Sequence, residues 1–284
     1  MMTNDYGIER EFADLIAGEP REPRPLNRYS ATKLIGSIRQ GVLAETEEPE
    51  QDVSDLFPAF LGTAVHYYME HHLPGETELH LEAPFGDNVV SGIIDNYDPA
   101  TGVITDYKVK RCSDDGWWEA AMQIKIYAWL LRKNGVVATM GRIVAIRRDW
   151  GKIRNAGQTP IETFEFRIGT SEIEEAESFI ADRIKGFEEA RAELPECTDD
   201  ERWKQPDKWA VYAHKGDARA KKVFDSEAEA KAYAGESMHV EHRKGRDLRC
   251  ECYCPYRRVC ARRLRISANH GVSLSGGKEE KDIG

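Results

Sequence analysis

Apolar positions along the chain change period several times. Residues 30–45, SATKLIGSIRQGVLAE, bring Leu34, Ile35, Ile38 and Leu43 to one side behind Ser30 as an N-cap, which predicts a helix. The acidic stretch 45–52 reads as a loop. A second helix is expected over 58–72, because Pro58 suits a first helical turn, and it stops before Leu73-Pro74-Gly75. The period then falls to two. Residues 78–84, 88–96 and 102–110 read as strands, the last two joined by Asp98-Pro99-Ala100-Thr101-Gly102. A helix over 117–133 ends at Asn134-Gly135, strands follow over 136–148 and 161–168, and a long helix covers 171–192. Helices flanking a short central sheet make this an α/β chain.

Composition shifts after Leu194-Pro195. Residues 209–214 and 221–224 can pair as a hairpin ahead of a helix over 226–233, a small ββα insertion. The expected organisation is a loosely ordered lead-in (1–28), a core (29–195), the insertion (196–245), a cysteine-rich staple with a basic helix packing on the core (246–270) and a disordered tail (271–284).

Charge and hydropathy narrow the class. The 284 residues carry 40 Lys+Arg against 50 Asp+Glu, a net charge of -10, with 40% hydrophobic positions. That length is ample for a real core. No run approaches the ~20 apolar residues of a membrane helix, and the first ten residues are polar and mixed in charge, so a cytoplasmic protein without a membrane role is expected. The acidic balance excludes coating nucleic acid by bulk attraction. It leaves room for local basic tracks, which 142–154 and 257–265 offer unless they are simply solvated faces. Gly271 to Lys278 only approximates the spacing of a phosphate-binding loop and indicates no ATP site.

The chemistry concentrates in Gly92-Ile93-Ile94-Asp95 and Asp106-Tyr107-Lys108. A reversal near Pro99-Ala100-Thr101 places Asp95 roughly opposite Thr105 and Asp106, while alternation puts Asp106 and Lys108 on one face. Two carboxylates crowded together are unfavourable unless a divalent ion lies between them, and hard oxygen ligands favour Mg²⁺ or Mn²⁺. The lysine would serve an attacking water or the charge developing on a phosphate. The plainer reading is a surface ion pair. On the preceding helix Gly62, His66 and Glu70 repeat every four residues and share a face, and His66 can add a nitrogen ligand. The text His66-Tyr67-Tyr68-Met69-Glu70-His71 is neither H-E-x-x-H nor H-x-x-E-H, so a metalloprotease is disfavoured. On the following helix Gln123 and Tyr127 again sit at i and i+4.

Taken in order, GTAVHYYME, GIID, DYK and MQIKIYAWLL resemble the motifs of the PD-(D/E)xK nuclease superfamily, in its RecB-like and Cas4-like exonuclease branch. The resemblance covers about 30–148 and the C-terminal cysteines. It implies a restriction-endonuclease-like core and metal-dependent hydrolysis of DNA, with His66, Asp95, Asp106 and the Tyr107 backbone carbonyl as metal ligands. It also implies catalytic roles for Asp95, Asp106 and Lys108, and substrate holding by Gln123 and Tyr127; Glu70 fits the motif without being read as a ligand. Strand guidance would fall to Arg147, Arg148, Arg257, Arg258, Arg262 and Arg263, with Trp117 and Trp118 as stacking platforms or, equally, core residues.

Relatives in that branch often hold a [4Fe–4S] cluster. Cys250, Cys252, Cys254 and Cys260 fall within eleven residues, and Cys254-Pro255 opens a C-x₅-C step to Cys260. Position 251, where the usual C-x₂-C step needs a cysteine, is Glu, and no cysteine precedes the His66 motif. The fourth ligand is therefore open between the remaining member of the run, Cys112 and a non-cysteine group, and Zn²⁺ is the alternative metal. The leading expectation is a stand-alone DNA exonuclease of a phage or mobile element, acting on single strands or duplex ends. Its alternatives are an end-trimming nuclease of a CRISPR adaptation complex and a non-cleaving scaffold that binds DNA ends or partners. Homo-oligomers and recombination or adaptation proteins are the expected partners.

Overall fold

Asp52 shows why the N-terminal segment is better ordered than its composition suggests. Its carboxylate accepts from Thr3 Oγ1 at 3.0 Å and from the Asp5 N–H at 2.7 Å, tying β1 (Met2–Thr3) to the chain some fifty residues on. The computed structural model describes residues 2–18, 25–114 and 116–260. They divide into an N-terminal unit, Met1–Pro195, and a C-terminal unit, Glu196–Gly284. The expected basic helix and tail beyond residue 260, with Arg262, Arg263 and the Gly271–Lys278 spacing, lie outside the described residues.

In the N-terminal unit, α1 (Arg10–Ala17) occupies part of the expected lead-in, and β2 (Arg28–Ser30) joins the central sheet. The single helix expected over 30–45 is two, α2 (Ala31–Ile35) and α3 (Ile38–Thr46), broken at Gly36-Ser37. Ser30 caps α2 as expected, accepting from the Lys33 N–H at 3.2 Å. β3 (Gln51–Asp52) pairs with β1. Next, α4 (Val53–His72) starts five residues before Pro58. Asp52 accepts from the Ser54 N–H at 3.0 Å, and Asp55 returns a bond to the Asp52 N–H at 3.2 Å, a reciprocal cap stronger than the proline signal.

The central sheet has six strands: β2, β4 (Glu76–Phe85), β5 (Asn88–Asp98), β6 (Val103–Lys110), β7 (Met140–Arg147) and β8 (Ile161–Arg167). Its main path runs β2-β5-β6-β7-β8 and is mixed, with β2 parallel to β5 and β6 parallel to β7. β4 lies antiparallel along one edge of β5. On the other edge β2 pairs at Val89–Ser91 and β6 pairs at Asn96–Asp98. Between those two pairings, among the described residues, 92–95 form no ladder on that edge. The sheet is split there. α5 (Trp118–Lys133) is buried on most of its circumference because the sheet takes one side and α6 (Thr170–Ala192) the other, with Lys125–Glu175 and Lys133–Glu177 ion pairs at 2.6 and 3.1 Å tying the two helices. Ile94, Ile104, Ile124, Leu130, Ile143, Ile180 and Phe187 sit in the resulting core.

The C-terminal unit holds a three-stranded sheet in the order β10-β9-β11: β9 (Lys208–Tyr212), β10 (Lys222–Phe224) and β11 (His239–Arg243). α7 (Glu227–Ala234) packs against it. The insertion is therefore ββαβ; the short, polar strand His-Val-Glu-His-Arg gave no alternation long enough to read. A π-helical turn over Arg249–Tyr253 follows. No helix among the described residues is long and apolar enough to cross a membrane.

Candidate active site

The split in the sheet is where the chemical groups gather. The last β5–β6 rung is Asn96↔Thr105, so Asp95 and Asp106 are the first residues past the ladder on each strand. Asp95 takes over the missing rung: its Oδ2 accepts from the Tyr107 N–H at 2.8 Å. His66, on α4, reaches the same point. Its Nε2 lies 2.8 Å from the Tyr107 carbonyl oxygen and its Nδ1 3.4 Å from Asp95 Oδ1. The hydrogen bond from Asp95 raises the His66 pKa above its ordinary value, against the desolvation that opposes it.

Asp106 and Lys108 share a face of β6 as alternation requires, and Lys108 Nζ donates to Asp106 Oδ1 at 2.9 Å. The same ammonium donates to Gln123 Oε1 at 3.0 Å, and Gln123 Nε2 donates to the Tyr127 hydroxyl at 2.5 Å. Gln123 and Tyr127 thus form a relay that fixes Lys108. Tyr127 is buried against Gly92, where a Cβ would come within 2.7 Å of the ring, so the glycine of the GIID run is what lets α5 approach β5. Asp106 is fully buried, and its Oδ2 has no hydrogen-bond partner. Burial pushes its carboxyl up to about 6, Lys108 opposing the rise and Asp95 adding to it.

One participant was not expected. Glu78 offers a carboxylate oxygen that, with ligand atoms of His66 and Asp95, falls within a 4.8 Å group. It sits in β4 at φ 48, a left-handed conformation rare for a residue with a side chain. Rungs Thr77↔Asn96 and Leu79↔Ile94 flank it, so Glu78 stands opposite Asp95 where no rung is formed among the described residues. Burial first, then the Asp95 and Glu70 carboxylates, raise its pKa. The two-residue Gly86-Asp87 turn sets this register and was readable in the sequence as a hairpin signal.

These groups suit a hard divalent ion. An imidazole nitrogen, carboxylates and a backbone carbonyl make the donor set expected for Mg²⁺ or Mn²⁺. His66 Nε2 and the Tyr107 carbonyl, 2.8 Å apart, have the spacing of adjacent ligands on an ion bound at ~2.1 Å, roughly 3 Å. The unpartnered, buried Asp106 Oδ2 is an acceptor awaiting a positive charge.

A family model of the PD-(D/E)XK nuclease superfamily matches residues 19–261. The chain belongs to this superfamily. Solved structures with the superfamily's fold resemble it at low identity. SSO0001 matches at 21% identity with a TM-score of 0.43, over 63% of this chain and 86% of its own. An alkaline exonuclease, LHK-Exo, from Laribacter hongkongensis matches at 11% and 0.39, over 60% and 92%. A phage-related exonuclease from Haemophilus somnus matches at 16% and 0.32, over 48% and 71%. At this similarity none of them bears on the chemistry of this superfamily member. A comparison with curated proteins gives no match.

The expected basic groove is largely absent from the N-terminal unit. Arg147 is buried and spends its guanidinium on the Arg111 and Asp114 carbonyls, each at 2.7 Å, and on Glu162. Arg142 pairs with Glu165 at 2.7 Å, while Arg148 stays exposed. Trp117 stacks on Phe164 and packs against the core, which leaves Trp118, 57% exposed, as the open aromatic of the pair. In the C-terminal unit, Arg257 donates to the Cys252 carbonyl at 3.3 Å and Arg258 is exposed.

Proposed function

We propose that the chain is a divalent-metal-dependent deoxyribonuclease of the RecB-like and Cas4-like branch, releasing nucleotides from DNA ends. The observation that carries this reading is the convergence, at one split in the sheet, of His66, Glu78, Asp95, the Tyr107 carbonyl and the buried Asp106, with Lys108 beside them. The motif order from Gly62 to Tyr127 supports the branch.

In this reading His66, Glu78, Asp95, Asp106 and the Tyr107 carbonyl hold the cation. When bound, it polarises a phosphoryl oxygen and lowers the pKa of a water at the cleavage point. Lys108 aligns the attacking water and faces the charge that develops on the phosphate. Gln123 and Tyr127 keep the Lys108 ammonium aimed, a positioning role in place of direct contact with substrate.

End-labelled single- and double-stranded DNA, and a closed circle as control, incubated with Mg²⁺, Mn²⁺ or EDTA, test the reading. Linear DNA should lose label with either metal and not in EDTA, and closed circles should persist. Asp95→Ala and Lys108→Ala should each lower the rate by about 10²-fold or more. Binding without cleavage under every metal condition would make the protein a DNA-end scaffold instead.

A further inference from the structure

Five of the six cysteines belong to the C-terminal unit. That unit has a thin apolar core: among the described residues its hydrophobic cluster is Val211, Ala230 and Ala234, with Trp209, Phe224, Met238 and Val240 packed around it. Small units with so little buried apolar surface are ordinarily held by disulfides or a structural metal.

The π-helical turn sorts the cysteines. The Cys254 N–H donates to the Arg249 carbonyl at 2.7 Å, closing a wide turn of Arg249–Tyr253. Residues four apart in such a turn return to nearly the same side, and residues two apart point to opposite sides. Cys250 and Cys254 therefore share a face, and Cys252 is turned away from it. The Cys252 sulfur lies 3.9 Å from the Arg246 guanidinium. Cys260 comes back toward Cys254 through a tight loop, its N–H donating to the Tyr256 carbonyl at 2.9 Å, and both thiols are buried.

Cys197 reaches this face by a separate route. The buried Arg202 guanidinium donates to the Cys197 carbonyl at 2.5 Å and to Asp247 at 3.2 Å. The Arg249 N–H donates to the Arg202 carbonyl at 3.0 Å, and the Gln205 N–H to the Arg246 carbonyl at 2.8 Å. The segment that starts at Cys197 is thereby clamped along the residues leading into Cys250. Burial, and then Asp247, Cys197, Cys254 and Cys260, push the Cys250 thiol up to about 11, so three other sulfurs lie within electrostatic reach of it. Thiols this close, and this reluctant to ionise without a cation, are what a thiophilic metal relieves.

We propose that Cys197, Cys250, Cys254 and Cys260 form a four-thiolate metal centre and that Cys252 stands outside it. The spacing is C-x₅₂-C-x₃-C-x₅-C, with a first member that no short motif contains. Four thiolates suit either an iron–sulfur cluster or Zn²⁺. Its place in a thin-cored unit makes the centre structural.

The full chain, purified without air, tests this by elemental analysis and thiol mapping. Iron with acid-labile sulfide and broad visible absorption identifies a cluster; a colourless protein containing zinc identifies the other metal. In the metal-loaded protein, N-ethylmaleimide followed by mass spectrometry should label Cys252 and spare Cys197, Cys250, Cys254 and Cys260; release of the metal should open those four. Cys197→Ser should lose most of the bound metal and Cys252→Ser should keep it. Mapping needs no variant, so a misfolded Cys197→Ser leaves the test intact. Labelling of Cys197 with protection of Cys252, or a protein that holds neither metal even after anaerobic reconstitution, overturns the proposal.

Discussion

Glu78 carries a carboxylate on a backbone that most residues avoid, φ 48 in the middle of a strand. Such strain costs about 1–3 kcal/mol and persists where the surroundings impose it. Here it delivers a carboxylate beside His66 and Asp95. Glu78→Gly should therefore raise the thermal stability of the metal-free protein by about 1 kcal/mol while weakening Mn²⁺ binding, read by calorimetric titration. Glu78→Gln should weaken binding without the gain in stability; unchanged affinity in both would remove Glu78 from the site. Three neighbouring groups then set a pH dependence of one sign. Asp106, Glu78 and His66 all have pKa values raised in the folded protein, Asp106 to about 6. Each binds its proton more tightly when folded, so its contribution is complete below the unfolded pKa and disappears as pH rises through the folded value. Without metal, the protein should lose stability from pH 5 to 8. With saturating Mg²⁺ the slope should flatten or reverse, because the ion needs those protons gone, and metal affinity should climb as pH passes about 6. Denaturant titrations across that range check both, and Asp106→Asn should remove much of the metal-free slope.

The elements that carry these groups were largely legible, and the failures have local causes. Periodicity found β4, β5, β6 and α5 because each has a buried face, and alternation alone paired Asp106 with Lys108. It missed the start of α4, where a reciprocal Asp52–Asp55 cap outweighs Pro58, and the break at Gly36-Ser37 inside a continuous apolar pattern. The role of Glu78 was out of reach because a left-handed strand residue has no signature in a pattern of period two. Gln123 and Tyr127 were visible as an i, i+4 pair, but their relay to Lys108 depends on how closely α5 lies against β5. Gly92 controls that distance. A Cβ there would meet the Tyr127 ring at 2.7 Å and Leu130 at 2.9 Å, both on a buried helix face with no room to yield. Gly92→Ala should cost about 1–3 kcal/mol of stability. It should also lower kcat more than it raises KM, since Lys108 loses its aim while Asp95 keeps its backbone anchor. Denaturation midpoints and steady-state kinetics separate the two effects; an equal rise in KM alone would tie Gly92 to substrate binding.

At the scale of the whole chain, a net charge of -10 leaves little general attraction for DNA, so the proposed activity depends on charge brought locally by bound cations and by the exposed arginines. The two proposed metal sites differ in kind as well as in unit. Oxygen and imidazole donors in the N-terminal unit select a hard, exchangeable ion, and thiolates in the C-terminal unit select a soft ion held through folding. Each unit has its own hydrophobic cluster, and a chain of this kind need not unfold in one step. Scanning calorimetry should resolve two transitions that answer to different reagents. Mg²⁺ at about 100 times its Kd should stabilise the N-terminal unit by about 2.7 kcal/mol, from the linkage relation for a ligand that binds only the folded state. It should leave the other transition in place. Release of the thiolate-bound metal should lower the C-terminal transition and leave the Mg²⁺ response untouched. Trp203 and Trp209 report on the C-terminal unit, whereas Trp117, Trp118, Trp129 and Trp150 report on the N-terminal one, so variants retaining one set assign each transition. A single transition displaced by both treatments would mean that the two metals stabilise one cooperative structure, and the independence argued from their separate cores would fail.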